Sequence, residues 1–477
     1  MVLGGLVGAG ILGWAALVAT SHTNVTKLLG AAGYVIGALV LLLLLVIQHR
    51  QRRLTETLRQ QLTALAKAES RHDYHRRRQI DQVQSVLARL RFMVEGINGA
   101  NRPHDQRLAL PFDQDSQLPR VLFVTSNGAG MGHLTRCLAI ARSGRKMFQA
   151  QFVSLSSSAE IVEALGFSVL KFPSQSMSSH DSAAWNDDFA VFFDDVCRIN
   201  RPQAVVFDGT WIYRAVHESA RRHGASLVWL RRGLWMEGSD ISQLQSASKF
   251  VDRVLVPRDV ADTVDKGPTS RLDGVVVPAP TLTTPSDCLS RDDALGTLGL
   301  DPARNYVLLQ LGAGAINDVS DARELAITQI LQHSPSTDVV VGLSPLSRSY
   351  VDERPRVHVV RQYPVAKFLA AFDFMVIAAG YNSVHESIRF QTPAIVVPNR
   401  HTSTDNQTLR ASEYERLGFG LAAHSLDELT RALGSFFVPE VRERFTKALC
   451  TAAVPLDSGE GAATKIEEWA ISRQLAL

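Results

Sequence analysis

Apolar residues follow three different rhythms along this chain. Residues 2–20 (VLGGLVGAGILGWAALVAT) and 28–47 (LLGAAGYVIGALVLLLLLVI) are runs without charge, each close to the ~20 residues that cross a bilayer core as a helix. Between 49 and 95 the apolar positions take helical spacing: Leu54, Leu58, Leu62 and Leu65, then Ile80, Val83, Leu87, Leu90 and Val94. The second set alternates steps of three and four, the pattern of a coiled-coil seam. Residues 96–119 read as a linker. From residue 120 short apolar runs alternate with helical segments. VLFVTS (121–126), AQFVSL (150–155), AVVFD (204–208), SLVWLR (226–231) and RVLVP (253–257) predict buried parallel strands. After a Pro-containing joint at 279–302 the rhythm restarts with YVLLQLG (306–312), DVVVG (338–342), RVHVV (356–360), FMVIAA (374–379) and AIVVP (394–398).

The pattern therefore predicts an α/β protein with two doubly wound, Rossmann-like domains, 120–278 and 303–477 with a terminal helix. Two transmembrane helices (1–48) and a long juxtamembrane helix (49–95) precede them. A cleaved signal peptide is the other reading of 2–20, but that run lacks a basic leader and a second apolar run follows closely. Charge sets the orientation. The connecting SHTNVTK carries one lysine, whereas HRQRR (49–53) follows the second run, so the positive-inside rule leaves everything after residue 48 in the cytoplasm. The expected location is the inner or plasma membrane, multi-pass, with self-association through the coiled-coil helix.

Bulk composition narrows the partners. A net charge of +3 over 477 residues is too slight to argue for nucleic acid. Cys137, Cys197, Cys288 and Cys450 lie far apart with no CxxC, which disfavours zinc and a disulfide framework.

Chemistry is sought in the loops after the strands, because ligands of open α/β sheets bind beyond the strands' carboxyl ends. FMVIAAGYNSVHES (374–387) gives way to a helix after Gly380, and HTSTDNQTLR (401–410) opens another after AIVVP. Helix N-termini carry unpaired N–H groups and partial positive charge, so the two corners suit a nucleotide diphosphate and its sugar. Ser383–Glu386 also fits a capping box, S-x-x-E, in which Glu386 only satisfies backbone donors. NGAGMGHLTR (127–136) places Gly128, Gly130 and Gly132 before His133. The dinucleotide fingerprint is broken there, since His133 takes the third glycine's place and SLSSS offers no ribose-binding acid. His133, at a helix start, is a candidate general base, or a histidine that bonds its own loop. Asp208, ending AVVFD, is placed to orient it, or to cap a turn. Gly312 and Gly314 in LGAGAIND let backbone approach phosphate oxygens. No G-x-x-x-x-G-K-[ST] occurs, which excludes a P-loop. No metal-ligating set is apparent.

Taken together, GAGMGH, LGAG, AGYNSVHE and the later DNQ resemble GT-B glycosyltransferases of the family 28 type, the MurG-like UDP-sugar transferases, over roughly residues 120–450. The resemblance implies that Gly380, Asn382 and Ser383 lie against the donor diphosphate and that Glu386 takes the ribose hydroxyls. Asp405, Asn406 and Gln407 would form the donor-sugar corner, and the backbone around Arg361 and Gln362 would meet uracil. His133 would sit at the acceptor hydroxyl. It also implies inversion at the anomeric carbon and no essential cofactor or metal. Tyr381-Asn382 and TSTDNQ depart from the pattern of the enzyme that completes lipid II, so the donor is not fixed as N-acetylglucosamine. The expected activity is transfer from a UDP-sugar to a lipid-linked or envelope-glycan acceptor. The alternatives are a UDP-sugar epimerase on the same fold and a non-catalytic nucleotide-sugar-binding scaffold.

Overall fold

Strands β1 (Arg120–Thr125), β2 (Gln149–Ser154), β3 (Val169–Lys171), β4 (Ala204–Asp208), β5 (Ser226–Leu230), β6 (Arg253–Pro257) and β7 (Val275–Val277) form one parallel sheet in the order β3-β2-β1-β4-β5-β6-β7. The computed structural model describes residues 104–474 except 127–130, 157–158, 176–177, 179–180, 247–248, 313–318, 344–349 and 403. The expected membrane hairpin and juxtamembrane helix lie outside the described residues. Among the described residues no helix is long and apolar enough to cross a membrane.

A second parallel sheet repeats the plan. Its strands β9 (Asn305–Gln310), β10 (Thr337–Gly342), β11 (Val357–Val360), β12 (Phe374–Ala378), β13 (Ala394–Val397) and β14 (Gly420–Ala422) run β11-β10-β9-β12-β13-β14. The two-residue strands β8 (Ala279–Pro280) and β15 (Leu456–Asp457) pair with each other. In both sheets the first and fourth strands of the set are neighbours, so chain direction of winding reverses between β1 and β4 and between β9 and β12. That reversal opens a crevice at the carboxyl ends of those strands. The central strands are buried on both faces, as their continuous Val, Leu, Ile and Phe content requires.

Three segments fall differently from the expected boundaries. Leu108, Leu110 and Phe112, in the expected linker, are buried in the core of the first sheet, and the amide of Leu110 donates to Asn200 Oδ1 at 2.7 Å. The expected joint holds the helix Arg291–Leu298, whose Ala294 and Leu295 join the second core. The terminal helix Glu460–Gln474, expected with the second domain, buries Ala462, Ala463, Ile466 and Ala470 in the core of the first. Each is an apolar stretch too short or too alanine-rich for periodicity alone to assign it to a sheet.

Candidate active site

Four predicted loops leave the four strands that flank the two crevices: His133 follows β1, Asp208 ends β4, Gly312 follows β9 and Gly380 follows β12. Helix α1 (Gly132–Ser143) begins without a side-chain cap and carries His133 as its second residue. Thr125 and Asp208 are register partners, so the last carboxylate of β4 lies beside the start of that helix. His133 Nδ1 and Asp208 Oδ1 are 2.6 Å apart. Arg136 Nη2 also lies 3.1 Å from Nδ1; the shorter contact is to the carboxylate, which only accepts, so Nδ1 carries the hydrogen and in the neutral ring Nε2 keeps its lone pair. This is the arrangement of an oriented general base.

Arg136, one turn further along α1, grips the same carboxylate with two bonds, Nε to Oδ2 at 3.0 Å and Nη2 to Oδ1 at 2.8 Å. Burial pushes the Asp208 carboxyl up, but the Arg136 guanidinium and His133 outweigh it and hold it below the usual range. Asp208 thus stays ionised beneath the histidine.

The predicted donor corner lies close to this dyad, with the Arg136 guanidinium carbon 5.1 Å from the centre of the Tyr381 ring. Helix α2 (Tyr381–Arg389) has Gly380 as N-cap, and no side chain caps it. The expected capping box is therefore absent: Ser383 is the third helical residue, and Glu386 lies beyond reach of the cap. Gly380 has φ −69°, and a Cβ built there meets nothing within 4 Å. Neither backbone strain nor packing calls for glycine at this position, and the open space there leaves backbone accessible to a ligand. The side-chain oxygen of Asn382 is buried with no hydrogen-bond partner among the described residues. Burial lifts the Glu386 carboxyl to about 7. Glu386 also lies near the Tyr363 phenol, adding to the upward push that burial gives that group. Tyr363 in turn shares a 2.7 Å hydrogen bond with Thr135 of α1.

Sequence reasoning missed the charged seam that joins the two halves. Tyr381 lies between two guanidiniums, with the Arg136 carbon 5.1 Å and the Arg410 carbon 5.9 Å from its ring centre. Its hydroxyl donates to Arg258 O at 2.7 Å, and the Val260 amide donates to His385 Nε2 at 3.2 Å. Arg410, on α3 (Gln407–Arg416), donates to Asp259, to Asp405 and to the carbonyl of Ala379, which directly precedes Gly380. Arg410 and Asp259 are fully buried, and Arg232 pairs with Asp405 at 3.2 Å. The H-x-x-R spacing of His133 and Arg136 was the available signal for the first arginine, since residues three apart share a helix face.

The second predicted corner is tied into the protein by its own hydrogen bonds. Asn406 caps α3 by accepting from the Leu409 amide at 3.0 Å. Gln407 donates to Asp405 and accepts from the Asn399 amide, and Asp405 is held by Arg232 and Arg410. All three side chains are engaged inside the protein, because polar residues at a helix start serve the cap first. Arg361 and Gln362 are exposed after β11. Gly132 opens α1 and Gly312 has φ +88°, while Gly128, Gly130 and Gly314 lie outside the described residues.

No protein-family model matches the chain. It is 28% identical over 131 residues to the UDP-N-acetylglucosamine–N-acetylmuramyl-(pentapeptide) pyrophosphoryl-undecaprenol N-acetylglucosamine transferase of Phocaeicola vulgatus, covering 26% of this chain and 34% of that protein. The protein of the same name from Clostridioides difficile is 27% identical over 146 residues, 28% of this chain and 34% of the relative. The chain thus spans about a third of the length of the curated relatives it matches. Among solved structures, the spinosyn forosaminyltransferase SpnP superposes with a TM-score of 0.54 at 13% identity, covering 74% of this chain and 100% of that one. The chain has the GT-B fold, and its sequence likeness runs to glycosyltransferases of the family 28 type.

Proposed function

We propose that this protein is a membrane-anchored, inverting glycosyltransferase that moves a sugar from a UDP-sugar to a lipid-linked or envelope-glycan acceptor on the cytoplasmic face. One observation carries the reading: the His133–Asp208 dyad ends the first crevice beside an uncapped helix start at Gly380 that ends the second. The acceptor hydroxyl gives its proton to His133 Nε2 as its oxygen bonds to the anomeric carbon. The bond from that carbon to the diphosphate breaks, and the amides at the start of α2 take up the charge on departing UDP. Asp208 balances the imidazolium that forms. Glu386, free of any cap duty, is the group for the ribose hydroxyls. The curated relatives are named for a pyrophosphoryl-undecaprenol acceptor, and the uncharged runs at 2–20 and 28–47 support the anchor.

The test is to incubate the full chain, purified in detergent, with a panel of UDP-sugars and a membrane lipid extract, and to weigh the products. A glycosylated lipid whose formation releases UDP is expected. Epimerised UDP-sugar without transfer, or UDP binding without any turnover, refutes the transferase. Retention of the full chain in the membrane pellet after a carbonate wash is expected from the anchor; release into the supernatant rules it out.

A further inference from the structure

Trp211 stands out among the exposed large hydrophobic side chains, with 38% of its surface accessible three residues after Asp208. Single exposed apolar residues are ordinary on a protein surface. This one is held in place on both sides. The indole of Trp229 donates to Gly209 O at 2.9 Å, and a Cβ on Gly209 would come within 2.7 Å of Phe207 and Ser126, so the chain has no slack before Trp211. After it, Ile212 is buried and exchanges two hydrogen bonds with Gln243, at 2.6 and 2.9 Å.

Position adds to rigidity. The Trp211 ring lies 6.5 Å from that of Trp235, which is buried. The backbone of Trp235 pairs with Asp405 of the other half. Trp211 therefore follows the carboxyl end of β4, joined by chain to the dyad and by ring contact to the seam. Thr210 and Arg214, close to it in sequence, are polar or charged. A flat aromatic face among polar groups suits a pyranose ring, which offers C–H bonds to the ring and hydroxyls to its polar neighbours. A lipid chain instead calls for a continuous apolar patch.

We infer that Trp211 is the stacking platform of an acceptor subsite, and that the acceptor presents a sugar ring next to the hydroxyl it offers to His133. The inference rests on the transferase reading and narrows its acceptor to a glycan. Its test is binding, so it does not depend on turnover. The full chain is titrated in a calorimeter with N-acetylglucosamine, galactose and maltose, with sorbitol as the open-chain control. At least one saccharide should give a saturable heat that sorbitol does not. Trp211→Ala should weaken that binding about tenfold, and Trp211→Phe should restore most of it. UDP calorimetry on the same samples reports separately on the donor side and should be unchanged. Equal saccharide binding by Trp211→Ala overturns the subsite. So does loss of binding to phosphatidylglycerol vesicles in that variant with saccharide binding intact, which makes Trp211 a lipid contact.

Discussion

Glu386→Gln separates a ligand carboxylate from a structural one, because its two consequences run in opposite directions. The carboxyl is lifted from 4.5 to about 7 by burial alone. A folded-state value above the unfolded one means that the native protein holds this proton more tightly than the unfolded chain does. Stability from Glu386 is then fully present below about pH 4.5 and lost as the pH rises through about 7. At ~1.4 kcal/mol per tenfold in proton affinity the full loss is about 3 kcal/mol, and the partial exposure of the side chain reduces it to about 1–2 kcal/mol. Glutamine carries no such penalty, so urea denaturation at pH 8 should find the variant more stable by that amount, with the gain vanishing near pH 4.5. UDP binding should move the other way. A carboxylate accepting from ribose hydroxyls contributes about 1.5–3 kcal/mol, so calorimetry at pH 8 should show affinity reduced ~10–100-fold. The gap should narrow below pH 6, where the wild-type group is protonated. A variant that is less stable at pH 8 yet binds UDP normally refutes the reasoning and returns Glu386 to a structural role.

His133→Ala should lower turnover ~10²–10⁴-fold while UDP affinity measured by calorimetry stays unchanged; near-normal turnover removes the histidine from the mechanism. Gly380→Ala should cost less than about 1 kcal/mol in thermal stability, since alanine is only a somewhat poorer cap, but should weaken UDP binding by about tenfold or more through its clash with phosphate. Unchanged UDP affinity in that variant means no ligand reaches the corner. Arg410→Met leaves Asp259 and Asp405 buried beside an apolar group and should cost about 3–5 kcal/mol in urea denaturation. A smaller loss would mean that water enters the seam.

What the sequence disclosed and what it hid divide by the range of the interaction. Both sheets were legible, because strands buried on two faces must be continuous apolar runs; AVVFD and RVLVP coincide with β4 and β6 to the residue. The edge strands β3, β7 and β14 span three residues each and leave no such run. The closeness of His133 and Asp208 was legible because one follows and the other ends neighbouring strands at their carboxyl edge. The arginine seam was not, since Arg136 meets Asp208 across 72 residues and Arg410 meets Asp259 across 151. Caps were harder to place: S-x-x-E at Ser383–Glu386 fits a capping box, but the helix starts two residues earlier with Gly380 as its cap, and the oxygen of Asn406 closes its own helix.

The return of the helix Glu460–Gln474 to the first sheet has a consequence for the order of events during synthesis. The apolar face that Ala462, Ala463, Ile466 and Ala470 cover is made early, but its cover follows every strand of the second sheet in the chain. Folding by units from the N-terminus therefore stops short here: the first half emerges with an open seam that closes only after the second sheet has been made. A nascent chain stalled before residue 460 should accordingly be a better substrate for chaperones and proteases than its length suggests. Loss of the helix Glu460–Gln474 should damage the half that carries His133 before the half that carries Gly380.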